Sequence, residues 1–174
     1  IEDWPERFRN NIDDEIWTDE WVVHEGTKKW GTIYKRGWWL DNEHLEPTLS
    51  KKETEGDTGF RLYFNHLIRR EESFTQGELT FRLRSVTDVP LRGEFNRLYN
   101  SNKWKQKLEP LFNERGITNK GNKRNYFMKT YDVDQTCLPK SYFETLGVAF
   151  EEHIPVAEVI DKIMNEATSN IEDS

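Results

Sequence analysis

The sequence has one cysteine in 174 residues, Cys137. A lone thiol cannot close a disulfide within the chain, and a cysteine-rich zinc site is excluded with it. Such a chain suits a reducing compartment. No apolar run approaches the length of a bilayer span, and no signal peptide is visible. The expectation is a cytoplasmic or otherwise intracellular protein with no membrane partner. Walker-type and dinucleotide glycine loops are missing, which removes the usual phosphate cradles. The Gly-x-Ser-x-Gly elbow is missing too. No Glu-x-Lys or Asp-x-Lys triplet occurs, which argues against metal-dependent nucleases built on that triplet. The four histidines, His24, His44, His66 and His153, are scattered without metal-ligand spacing. The sequence thus predicts no catalytic residue, no metal and no cofactor.

Apolar residues are also scarce, at 34% against 33% charged, a balance that approaches that of disordered chains. Aromatic content reverses the inference. Seven Trp, ten Phe and six Tyr bury large areas per residue, enough for a dense core under a polar surface. The length fits one domain with a sizeable core, assigned to residues 1–167, with 168–174 as a flexible acidic tail.

The most informative stretch is Gly59–Arg70 followed by Gln76–Val86. Both halves alternate apolar and polar residues, the pattern of strands buried on one face. Phe60, Leu62, Phe64, His66 and Ile68 share one side of the first strand, and Leu79, Phe81 and Leu83 one side of the second. A hairpin pairing Leu62 with Leu83, Phe64 with Phe81 and His66 with Leu79 aligns the apolar faces around a four-residue loop, Glu71 to Phe74. A slip of one residue would destroy that alignment. The same register sets Arg61 against Arg84, Tyr63 against Arg82 and Asn65 against Thr80 on the other face. On the apolar face, His66 is expected to be a core histidine rather than a ligand.

Elsewhere the spacing predicts a helix over 3–13, a strand near 20–25 and a strand from Trp30 to Leu40. On that strand Trp38 and Trp39 point to opposite faces. Residues 41–58 read as a loop. Helices follow over Asp88–Tyr99 and from Ser101 to Gly116, with Pro110 inside the second. A basic loop covers 115–124, and a strand runs from Arg124 to Val133. Two helices end the chain, one after Pro139 and one starting at Pro155. Cys137, beside Leu138 and Pro139, reads as a small buried hydrophobe. The order α-β-β-β-β-α-α-β-α-α favours an α+β fold, a mainly antiparallel sheet of about five strands with helices packed on it.

Charge is strongly segregated. Residues 1–26 carry two arginines against nine acids, residues 27–130 carry 21 basic residues against 13 acids, and residues 131–174 carry two lysines against ten acids. A basic middle between acidic ends matters more to partners than the net charge of −7. Arg61, Tyr63, Arg82 and Arg84 on the outer hairpin face, with Lys120, Lys123 and Arg124 in the basic loop, are the candidate nucleic-acid-binding residues. Cations release counterions from phosphates, and aromatics stack on bases. The leading expectation is a non-enzymatic binding module contacting nucleic acid, as part of a larger nucleic-acid-processing protein. Two alternatives stand beside it. One is a protein–protein interaction domain with acidic ends and exposed aromatic anchors. The other is an enzyme whose site gathers dispersed carboxylates and His66.

Overall fold

The computed structural model describes residues 3–24, 30–40, 59–67, 77–86, 90–121 and 125–173. The loop expected at 41–58, the hairpin tip Glu71–Phe74, and Lys123 and Arg124 lie outside the described residues. So does the spacer between the hairpin and the next helix, residues 87–89.

The fold is α+β. Among the described residues it has four α-helices and seven strands. They are α1 (Trp4–Arg9), β1 (Trp21–His24), β2 (Trp30–Lys35), β3 (Trp39–Leu40), β4 (Phe60–Leu67), β5 (Glu78–Val86), α2 (Pro90–Tyr99), α3 (Asn102–Arg115), β6 (Thr118–Asn119), β7 (Phe127–Asp132) and α4 (Lys140–Glu172). The strands form one antiparallel sheet in the order β1-β2-β4-β5-β7-β6, with β3 paired to β4. The two extra strands come from places read as continuous. A 3-10 turn at Arg36–Trp38 splits the strand expected over Trp30–Leu40, and Thr118–Asn119 inside the basic loop pairs with β7.

The helices pack on one face of the sheet. Phe64, Phe81 and Leu83 face them with no exposed surface, against Phe150, Val156 and Ile160 of α4 and Phe8 of α1. Rings interlock there: Trp21 meets Phe150 edge-on at 4.7 Å between centroids, and Phe64 lies 4.8 Å from Phe81. Each fully buried side chain of this size stabilises the fold by roughly 1.5–3 kcal/mol, so a minority of apolar residues suffices.

Helix α4 corrects the expectation of two closing helices. It runs unbroken for 33 residues through Pro155 to Glu172, so most of the stretch read as an acidic tail is helical. Proline removes one main-chain donor and crowds the preceding turn. Here the stripe Phe150, Val156, Ile160, Ile163 and Ala167, all buried against the sheet and α2, outweighs that loss. Helix α3 likewise continues through Pro110 and ends at Gly116, whose φ of +65° is the left-handed C-cap that glycine adopts without strain. Ser101 precedes α3 without capping it through its side chain, which turns back to Leu98 O at 2.6 Å.

The hairpin faces are those expected, but the register is not. Leu62 pairs with Ser85, Phe64 with Leu83 and His66 with Phe81, two residues away from the expected alignment. The shift preserves both faces and improves the pairs on the polar one. Arg84 lies across from Tyr63 instead of Arg61, which removes a like-charge pair. Arg82 lies across from Asn65 and donates Nε–H to its Oδ1 at 2.8 Å.

Trp38 and Trp39 are both 1% exposed, on opposite faces. Trp38 packs edge-on to Trp21 and Phe64 and donates Nε1–H to Asp161 of α4 at 2.7 Å. Trp39 stacks on Tyr34 at 3.7 Å and donates to Leu62 O.

Candidate functional site

The strands place three arginines on the sheet face that turns away from α1 and α4, α2 adds a fourth beside it, and their fates differ. Arg61, on β4, is 1% exposed. Its Nη1 donates to Leu40 O at 2.8 Å and Phe60 O at 3.0 Å, and its guanidinium lies 5.6 Å from the Trp39 ring centre. A Cβ on Gly59 would overlap that guanidinium, so the glycine leaves its space. Arg61 is thus a strut between β3 and β4. It is not paired with Arg84.

Arg82 and Arg84 on β5 are half-buried, and Tyr63 on β4 is half-buried between their levels. Arg92, from the first turn of α2, joins them. Its Nε donates to Ser85 Oγ at 2.9 Å and its Nη2 to Ser85 O at 3.0 Å. Burial pushes the Tyr63 phenol above its ordinary value, and the charges of Arg84, Arg82 and Arg92 pull it back, so all three guanidiniums lie within electrostatic reach of one ring. Burial and then the neighbouring Arg84 lower Arg82. Sequence reasoning missed Arg92. A signal was present: only three residues separate β5 from Pro90, so the first helical turn must lie against the end of β5.

A polar lattice holds this corner. Ser85 Oγ accepts from Arg92 and lies 2.8 Å from Tyr126 Oη, which donates to Asn96 Oδ1 at 2.5 Å. Burial pushes the Tyr126 phenol up to about 12, so it remains a neutral donor. Tyr99 Oη adds bonds to Asn119 Oδ1 and Tyr126 O, each 2.9 Å. Lys120 is exposed at the turn after β6, where its main-chain N–H donates to Tyr126 O.

The acidic ends lie across the sheet from this cluster and pair with lysines there. Asp161 binds Lys35 Nζ at 2.5 Å, and Glu20 lies 3.6 Å from the same ammonium. Glu166 pairs with Lys103 at 3.0 Å, and Glu152 with Lys129 at 2.5 Å. These contacts absorb part of the basic middle on the helical side.

His66 is a core histidine. It has no exposed surface, and its Nδ1 lies 2.8 Å from Tyr142 Oη. The Trp4 ring closes over it, and Gly31 leaves the room for its Nε2. Burial pushes it down to about 3. His153 is its counterpart on α4, enclosed by Phe64, Phe81 and Phe127, with Nδ1 2.7 Å from Ala149 O and a value pushed down by burial to about 4. Nε2 of each is buried with no partner.

Cys137 is exposed, contrary to the expectation of burial. It ends a 3-10 turn, Gln135–Cys137, that Asp134 caps by accepting from Thr136 N–H, and that turn holds it away from the core. Among the described residues, no group of three or more His, Cys, Asp or Glu side chains is placed to hold a metal ion. No described helix is long and apolar enough to cross a membrane. No protein-family model matches the sequence, and no curated protein or solved structure matches it.

Proposed function

We propose that this chain is a non-enzymatic binding module that contacts nucleic acid through the sheet face carrying Tyr63, Arg82 and Arg84, with Arg92 at its margin. One observation carries the proposal: on the side of the sheet opposite the helices that hold the acidic ends, Arg84 lies directly across from Tyr63 and Arg82 one diagonal step away, while Arg92 is held on Ser85 beside them. Guanidinium groups bind phosphate oxygens through paired N–H donors and stack on flat rings, which lysines do not do equally. Arg61, two residues from Tyr63 on the same face of β4, is buried and supports the platform through Leu40 O, Phe60 O and the Trp39 ring. Lys120, exposed at the turn after β6, is a further cation of the proposed contact.

The test is a titration of labelled DNA and RNA at about 50 and about 200 mM salt, a range over which phosphate contacts weaken markedly. The expected result is salt-sensitive binding that disappears in the Arg82→Glu/Arg84→Glu double variant. Absence of binding at the lower salt overturns the proposal.

A further inference from the structure

We infer that the nucleic acid bound at this face is single-stranded, with neighbouring phosphates on Arg82 and Arg84 and an unpaired base against Tyr63; the inference rests on the function proposed above. Three features of the face support it. First, Arg82 and Arg84 are two residues apart on one strand, so their side chains leave the same face about 6.7 Å apart along it. That is the order of one step between neighbouring phosphates. Second, Tyr63 lies directly across from Arg84, and Asn65 directly across from Arg82. A base attached to those phosphates therefore meets the Tyr63 ring on the adjacent strand, while Asn65, buried and bonded to Arg82, holds that guanidinium in place. Third, both arginines and the tyrosine are half-buried within a broad sheet. Proteins that read a duplex send a helix or a two-stranded ribbon into a groove about 12 Å wide, and half-buried side chains on β4 and β5, inner strands of the sheet, do not project that way. An aromatic set among cations on a sheet face suits a strand whose bases are free to stack.

Fluorescence anisotropy on the full chain decides it, using labelled twelve-nucleotide oligo(dT) and oligo(U) and a twelve-base-pair duplex. Both single strands are expected to bind at least tenfold more tightly than the duplex. Three phosphate contacts on a single strand, those on Arg82 and Arg84 and one on Arg92, give a log–log salt slope of about −2. The Arg82→Gln/Arg84→Gln variant should reduce that slope to about −1. Tyr63→Leu should weaken single-strand binding about tenfold or more with the slope unchanged, as loss of stacking requires. Duplex binding as tight as single-strand binding overturns the inference and leaves the proposed function standing. A preference for single strands that survives both variants places the site elsewhere and overturns it as well. Failure of every probe to bind removes both. The comparison of probes on the unaltered chain does not depend on any variant folding.

Discussion

Two neutral histidines in the core should make this protein acid-labile well above the carboxylate range. His66 and His153 are held down to about 3 and about 4 from an ordinary value of 6.5, in each case first by burial. At pH 8 both are neutral whether the chain is folded or unfolded, and they cost nothing. As pH falls through 6.5, the unfolded chain takes up two protons that the folded chain refuses, so stability is lost on acidification and is fully present only above the unfolded value. At pH 5 each histidine has shifted the balance by about 2 kcal/mol, together about 4 kcal/mol, a large share of the 5–15 kcal/mol typical of a domain. Asp3, Asp134, Glu94, Glu152 and Glu166 are all lowered from their ordinary values near 4, so their contribution falls away only at lower pH. Urea unfolding followed by tryptophan fluorescence at pH 8, 7, 6 and 5 measures the effect. The unaltered chain should lose about 4 kcal/mol over the series, and His153→Leu about half of that. A stability unchanged from pH 8 to pH 5, or a loss of equal size in His153→Leu, refutes the reasoning.

Other substitutions separate space, backbone strain and charge. Gly31→Ala places a Cβ well inside contact with His66 Nε2 and 2.8 Å from Trp4 Cζ2, so overpacking should cost about 1–3 kcal/mol in a thermal melt, with recovery when His66→Ala is added. Gly116→Ala meets nothing nearer than Lys129 at 3.9 Å, and its expected loss of about 1 kcal/mol comes from the positive φ alone; Gly116→Asn should lose less, since Asn tolerates that conformation. Asp161→Ala removes the acceptor shared by Lys35 and Trp38 Nε1, for an expected loss of about 2–4 kcal/mol in urea midpoints, and Asp161→Asn should retain the Trp38 bond and lose less. Arg61→Ala should lower stability by a comparable amount, because two carbonyls and the Trp39 face lose their partner, whereas Arg84→Gln should reduce binding.

The contrast between Arg61 and Arg84 also marks how far alternation reaches. Period two assigned both to the outer face of the hairpin, and that parity holds. It carries no information about what lies above a face, so it could not separate a buried strut from a half-buried cation. The register failed for a related reason. A shift of two residues leaves every side chain on its own face, so apolar matching cannot detect it. The choice falls to the cross-strand pairs of the polar face: Arg82 with Asn65 and Arg84 with Tyr63, against the Arg61–Arg84 opposition of the alternative. The same limit applies at Pro155, where local propensity argued for a boundary and the buried stripe of α4 carried the helix through. Arg92 belongs to no strand pattern at all, and it reaches the cluster because only three residues separate β5 from α2, whose first turn lies against Ser85. The site therefore depends on three relations absent from any periodic signal: which residues oppose one another, what covers them, and which helix end is tethered beside them. Of these only the first is decided by side-chain chemistry within the hairpin, which is why the Arg–Arg repulsion in the expected register was the best available indication that the register was wrong.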